Sequence, residues 1–80
     1  MSIDIPIGTS REEQVTRVRS LAPLHRGDLV EARILDMVVH RGRVYETAPG
    51  IGALWITKEG TGERKLLHLE EFSIWLVLVG

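Results

Sequence analysis

The segment formed by residues 72–79 constrains the fold more than any other part of the chain, because seven of its eight residues are apolar. Alternate side chains of a β-strand point to opposite faces of a sheet, so Phe72 and Ile74 would share one face and Trp75 and Val77 the other. Burial on one side cannot remove both sets from water. We therefore expect the second face to be covered by an N-terminal helix, by closure of a barrel or by another subunit.

Length and composition favour one small domain spanning residues 1–80. The chain has no cysteine, which excludes disulfides and thiolate metal ligands as cross-links. A domain of this size without cross-links depends on close packing or on oligomerisation. Ten basic and eleven acidic residues give a net charge of −1, so no excess of positive charge favours non-specific nucleic-acid binding.

The start of the chain, residues 1–4, lacks the basic stretch and following apolar stretch of a signal peptide. The longest apolar run, residues 74–79, is much too short for a membrane helix. These features predict a cytoplasmic protein without a membrane partner.

Residues 10–22 have the pattern of a capped helix that follows an irregular lead at residues 1–9. Ser10 and Glu13 match a capping box. Four apolar residues follow at helical spacing: Val15, Val18, Leu21 and Ala22. The pattern predicts a helix over residues 11–21.

From residue 27 onward the apolar residues alternate, which is typical of strands. The predicted strands cover residues 29–37, 43–47, 53–58, 63–69 and 72–79. Arg41-Gly42 is the predicted tip of the first hairpin, and Gly60-Thr61-Gly62 is a hairpin loop. Five short strands after a helix favour a closed barrel over an open sheet with aggregation-prone edges. The predicted fold is therefore mainly β with one N-terminal helix, a five-stranded small barrel over residues 27–79.

Two segments carry a resemblance to known small barrels. Gly27-Asp28, which opens a strand of alternate apolar residues, is similar to the first strand of SH3-like folds. Residues 64–79, with a corner at Glu70-Glu71, are similar to the last two strands of Sm-like proteins. The resemblance covers roughly residues 10–79 and concerns topology, because the RNA-binding motifs of Sm-like proteins are absent. It implies assembly through the last strands and, as an alternative, an RNA- or nucleic-acid-associated regulator.

The apolar last strand predicts a homo-oligomer built by strand addition between subunits. Its expected interface consists of Trp75, Val77 and Val79. The function that the sequence favours is therefore a non-enzymatic binding or assembly module.

The stretch His40-Arg41-Gly42-Arg43 is the most basic short segment of the chain and underlies the nucleic-acid alternative. Four candidate contacts to phosphates are Arg41, Arg43, Lys58 and Arg64. Tyr45 and Trp55 could stack on bases. A solvated loop and packed aromatic residues are the competing interpretation, which the near-neutral charge favours.

No residue pattern predicts an enzyme, a cofactor or a small-molecule substrate. Three histidines lack metal-ligand spacing: His25, His40 and His68. Three arginines of the predicted helix could form an anionic docking surface or an ordinary solvated face: Arg11, Arg17 and Arg19.

Overall fold

The computed structural model describes residues 13–79, which form six antiparallel strands in one open sheet. The strands are β1 (Glu13–Val18), β2 (Leu29–Ile34), β3 (Met37–Ala48), β4 (Ala53–Lys58), β5 (Arg64–His68) and β6 (Ser73–Val79). A 3-10 turn, Pro49–Ile51, joins β3 to β4. The order across the sheet is β1-β6-β2-β3-β4-β5. The mainly β prediction is confirmed, whereas the five-stranded closed barrel is replaced by an open six-stranded sheet.

The predicted helix over residues 11–21 is wrong, because the chain forms β1 there. β1 pairs antiparallel with β6 along its whole length, so its main-chain groups bond to a neighbouring strand instead of within a helix. The β-branched side chains of Val15, Thr16 and Val18 suit a pleated strand. The irregular lead and the Ser10 cap lie outside the described residues.

β6 is an internal strand of the sheet, with a neighbouring strand on each side. It pairs with β1 through residues 74–79 and with β2 through residues 73–76. Ile74 is buried in the core on one face, and Val77 is buried on the other. The neighbouring strands bond to the edges of β6 and not to its second face, for which cover by a second subunit stays a prediction.

The core lies on one face of the sheet and draws on all six strands and on the turn after β1. Its buried members are Val18, Leu21, Leu24, Val30, Ala32, Val44, Leu54, Ile56, Leu67 and Ile74. A flat single-layer sheet would leave this face in water, so the sheet must curve toward it. Phe72 and Leu76 pack at the margin of the core. Burial of these side chains is the main source of stability for a chain without cross-links.

The first hairpin turns at Leu35-Asp36, and the predicted tip at Arg41-Gly42 is wrong. Ile34 pairs with Met37, which leaves a two-residue turn. Leu35 and Asp36 have φ angles of 51° and 65°, as a type I′ turn requires. Asn-Gly is the usual sequence for this turn, so Leu-Asp inside an apolar run carries only the weak turn signal of Asp36.

Gly42 is instead an internal residue of β3, where the adjacent strand β4 approaches closely. A Cβ atom at this position would lie 2.8 Å from the carbonyl carbon of Thr57 and 2.9 Å from the Cα of Lys58. Both are backbone atoms, which cannot move without disturbing the β3–β4 pairing. Glycine is therefore needed here for close approach, not for a turn.

The later part of the chain agrees with the sequence predictions. β4 has the predicted bounds, and β5 and β6 lie within the predicted segments 63–69 and 72–79. The loop with Gly60 and Gly62 connects β4 to β5, and both glycines have positive φ angles. In the part of the chain that the structure describes, no helix is long and apolar enough to cross a membrane.

Candidate functional site

The four basic residues predicted to contact nucleic acid fall into two groups, and the first is neutralised by acids. Arg41 lies on β3 and contacts Glu31 through Nη1 at 2.8 Å and Glu59 through Nε at 3.1 Å. The Nζ of Lys58 lies 3.7 Å from Glu63. Cations held in ion pairs contribute less to phosphate binding, so Arg41 and Lys58 are poor candidates.

Arg43 and Arg64, the second group, lie on one face of the sheet in the same row. Thr57 on β4 pairs with Arg43 on β3 and with Arg64 on β5, so the three side chains point the same way. Two strand spacings separate the arginine backbones, about 10 Å. The Arg43 Nη1 donates a hydrogen bond of 3.0 Å to the Gly27 carbonyl. Neither arginine forms an ion pair with an acid among residues 13–79.

A β-bulge brings Tyr45 into this same face. The β3–β4 register shifts between Val44 and Glu46, so Tyr45 is the extra residue of the bulge. Bulges redirect side chains in this way. The Arg64 Cζ lies 3.6 Å from the centre of the Tyr45 ring, and the Arg26 Cζ lies 4.5 Å from it. A tyrosine ring in contact with two guanidinium groups is an arrangement that the sequence analysis did not predict.

Arg26 reaches Tyr45 because its turn is bonded to β3. The Gly27 N–H donates to the Val44 carbonyl at 2.8 Å, and the Val44 N–H donates to the Asp28 carbonyl at 2.8 Å. Nothing in the sequence around Arg26 indicates this contact, since the two residues meet only through the strand pairing.

Trp55 completes the group and lies beside it on β4. It pairs with Glu46 on β3, and its side chain is 38% exposed. Tyr45, Trp55, Glu46 and Arg64 line an open recess of about 160 Å³. We call the set Arg26, Arg43, Tyr45, Trp55 and Arg64 the basic–aromatic patch. At 38% exposure Trp55 is not packed into the core, and its packing against a partner stays a prediction.

A second polar cluster on the same face is centred on the buried carboxylate of Glu31. The Arg33 Nη2 and Nε atoms donate to Oε1 at 2.7 and 3.1 Å, and the Arg41 Nη1 donates to Oε2 at 2.8 Å. Glu31 is only 6% exposed. The Arg33 guanidinium also covers the ring of Trp75 at 4.4 Å. The cluster joins β2, β3 and β6 and leaves little free charge for a ligand.

The predicted interface residues are largely engaged within the chain. The Trp75 Nε1 donates to the Ser73 Oγ at 3.1 Å, and the ring is half-buried beneath Arg33. Val77 is 5% exposed, and the side chain of Val79 lies outside what the structure describes. Pairing with β1 along residues 74–79 and with β2 along residues 73–76 leaves a free edge of β6 only at residues 77–79 on the β2 side, so strand addition through β6 has little edge to use.

The largest exposed apolar surface instead lies at the end of the β2–β3 hairpin. Five apolar side chains there are 42–91% exposed: Ile34, Leu35, Met37, Val38 and Val39. β4 begins to pair with β3 only at Gly42, so the described residues provide no strand beside the outer edge of 37–39. We call residues 34–39 the hairpin arm. The predicted strand over residues 29–37 includes only the first part of this run, and the sequence does not indicate its exposure.

The histidines do not form a metal site. Among residues 13–79 no three histidine, cysteine or acidic side chains lie close enough together to hold a metal ion. The His40 ring packs edge-on against Phe72, with centroids 5.5 Å apart, and its buried Nδ1 has no hydrogen-bond partner. Burial, followed by the charges of Lys58 and Lys65, lowers the pKa of His40 from its usual value. His40 is therefore a neutral packing residue at pH 7.

The helix that would have carried Arg11, Arg17 and Arg19, either as a docking surface for anions or as a solvated face, is not formed in the described residues. Arg17 lies on β1 opposite Trp75, and Arg19 follows the strand at the margin of an open, mainly apolar recess of about 580 Å³. Arg11 lies outside the described residues.

Comparisons of the chain with protein-family models, with curated proteins and with solved structures give no match.

Proposed function

We propose that the chain is a non-enzymatic binding and assembly module that associates with a second copy of itself through the hairpin arm. One observation carries the proposal. The arm exposes five apolar side chains and an unpaired strand edge at the same place. Large exposed apolar patches on small proteins mark interaction surfaces.

The area of the arm is sufficient for a weak dimer. The exposed fractions of its side chains correspond to roughly 500 Å² of apolar surface, within the range of the largest patch on a typical monomer. Two arms in contact would bury at most about 1,000 Å², because Val38 lies on the face opposite Met37 and Val39, and this upper bound is near the lower limit for a specific interface. Micromolar affinity is therefore the appropriate expectation.

The turn chemistry also supports an interaction role for Leu35. A leucine with a positive φ angle costs about 1 kcal/mol relative to a residue that tolerates this conformation. Leu35 is nevertheless 91% exposed, so no contact inside the described chain compensates for that cost. Backbone strain at an exposed position is a reason to look for a partner.

A second copy is the occupant that the charges favour. Asp36 is the sole charged residue of the arm, and the net charge of the chain is −1, so little repulsion opposes association of two copies. A two-fold axis would place the edge of residues 37–39 against the same edge of the partner, which allows antiparallel strand addition. The strand-addition mechanism expected for β6 is thus proposed for β3.

The SH3-like or Sm-like relationship remains part of the proposal. Its support is the antiparallel pairing of β6, the last strand, with β2, the first strand of the β2–β5 meander. A cytoplasmic location remains an expectation.

Substitution of Leu35 by asparagine tests the proposal without threatening the fold. Asparagine tolerates the positive φ angle, so the hairpin should keep its stability while the arm loses its most exposed apolar group. Burial of one leucine side chain contributes at least about 1.5 kcal/mol, and a symmetric dimer loses it twice, so the Kd should rise about a hundredfold. Sedimentation velocity over micromolar concentrations measures the change.

Ile51→Thr is the matched control. Ile51 is 63% exposed but lies in the 3-10 turn, away from the arm, so its variant should dimerise as the unmodified chain does. A chain that remains monomeric throughout the concentration range would refute the proposal. Equal weakening by both variants would also refute it, since the association would then not use the arm.

A further inference from the structure

We propose that the basic–aromatic patch binds single-stranded nucleic acid. The patch contains no residue of the hairpin arm, so this inference does not rest on self-association. It concerns the opposite end of β3, where the bulge at Tyr45 gathers residues from β3, β4, β5 and the turn before β2.

The first argument is local charge. Within residues 13–79, Arg26, Arg43 and Arg64 form no ion pair with an acid, whereas Arg33, Arg41 and Lys58 do. Two carboxylates lie nearby. Glu46 lines the recess, and Asp28 is turned toward the backbone N–H of His25 at 2.8 Å.

Three guanidinium groups and the carboxylates of Glu46 and Asp28 leave the patch with a charge of about +1, on a chain whose net charge is −1. Positive charge is therefore concentrated at this place even though the composition shows no excess. Such a local surplus is what phosphate contacts require.

The second argument is the presence of flat surfaces for bases. A Cζ–centroid distance of 3.6 Å is a van der Waals contact, so Tyr45 holds the Arg64 guanidinium against its ring. Arg64 is exposed, and so is part of the Trp55 ring. Unpaired bases stack on aromatic rings and on guanidinium planes. The recess of about 160 Å³ between Trp55 and Arg64 offers a place for one planar base.

These features favour a single strand over other polyanions. In a duplex the bases are stacked within the helix and cannot reach Trp55. An acidic peptide would use the arginines but would leave both stacking surfaces in water. Positive charge combined with exposed stacking surfaces is the pattern of proteins that bind single strands with little sequence preference.

The test uses a fluorescein-labelled oligothymidylate of about 12 nucleotides, which covers the usual site size of a small β-domain. Fluorescence anisotropy at low salt measures binding to the full chain. If three phosphates are neutralised, log K should fall with log salt concentration with a slope of about −2. Binding without salt dependence, or no binding, would overturn the proposal.

Arg26→Gln combined with Arg64→Gln should weaken binding at least about tenfold, since two of the three phosphate contacts are removed. Arg17→Gln is the control, because it removes an exposed positive charge on β1, across the sheet from the patch. It should change the affinity about twofold or less. An equal loss of affinity in the double variant and in Arg17→Gln would overturn the assignment of the site.

Arg64→Lys distinguishes the contribution of stacking from that of charge, because it keeps the positive charge. It also provides a test of the site if the double variant does not fold. Lysine lacks the planar group that rests on Tyr45, so binding should still weaken. Affinity equal to that of the unmodified chain would overturn the stacking argument.

Tryptophan fluorescence provides an independent measurement, because the chain has only two tryptophans. A base stacked on Trp55 should quench its emission, so the quench should persist in Trp75→Phe and disappear in Trp55→Phe. The reverse result would place the ligand at the Glu31 cluster and overturn the proposal. Equal binding of polyglutamate with no quench would also overturn it.

Discussion

Substitution of Glu31 by glutamine should destabilise the sheet more than any other single change of charge among the described residues. Its carboxylate accepts hydrogen bonds from Arg33 at 2.7 and 3.1 Å and from Arg41 at 2.8 Å. At 6% exposure, water cannot replace these partners. A glutamine would direct its amide N–H groups toward one of the two guanidinium groups, so a donor would face a donor.

The expected loss of stability follows from these contacts. Breaking a buried ion pair costs about 3–5 kcal/mol when the remaining charge is isolated. Here the loss is smaller, because Arg41 keeps Glu59 and Arg33 keeps its contact with Trp75. We therefore expect a decrease of about 2–3 kcal/mol in the free energy of unfolding, or a decrease of roughly 10–20 °C in Tm for a domain of this size.

Urea denaturation followed by circular dichroism measures the change, on protein dilute enough that association does not add to stability. Glu59→Gln is the matched control, since Glu59 ends the same network at a side-chain exposure of 49%. Its loss should cost no more than about 1 kcal/mol. Equal effects of the two substitutions would refute the reasoning, because burial would then not determine the strength of the network.

Two further predictions concern packing and pH. Gly42→Ala should cost at least about 2 kcal/mol in urea denaturation, because its Cβ would contact the backbone of β4, whereas Gly50→Ala, with open space around it, should be nearly neutral. The unfolded chain protonates His40 at its usual pKa of 6.5 and the folded chain only at lower pH, so the free energy of unfolding should fall as the pH drops below 6.5. His40→Phe should remove that part of the pH dependence, and an unchanged pH profile would show that another group causes it.

The strands of the second half of the chain could be predicted because their signals are local. Gly60 and Gly62 mark a hairpin by their conformational freedom. In β4 the buried apolar side chains of Leu54 and Ile56 alternate with more exposed ones. Their positions depend on nearby residues alone, so the sequence pattern is enough.

The predictions for the first half of the chain are wrong where pairing between distant residues decides the structure. Val15 and Val18 fit a helical stripe as well as a strand, and β6 decides the outcome by pairing with β1 along its whole length. The tip at Leu35-Asp36 contains only one weak turn residue, Asp36, whereas Gly42 is a typical turn residue but is needed in β3 for the close approach of the β4 backbone. A single sequence does not contain the register that distinguishes these cases.

The basic–aromatic patch could be predicted only in part, because its grouping also depends on long-range pairing. Arg43, Arg64, Tyr45 and Trp55 were all considered, but their grouping depends on the β3–β4–β5 register and on the bulge. Arg41 is a candidate as part of the basic segment 40–43, and Lys58 is one on the expectation that the fold brings it to that segment. Their acidic partners became visible only in the folded chain.

The internal position of β6 also has a kinetic consequence. Within the described residues β1 pairs with β6 alone, and the pairing of Glu13 with Val79 joins residues from the two extremes of the described chain. Closure of such a long loop loses chain entropy before any pairing energy is gained, and folds rich in such contacts form slowly. The β2–β5 meander is therefore expected to form first, with the addition of β6 and then β1 as the slow steps. During that interval the edge of β2 is open, and a second chain could supply the missing strand.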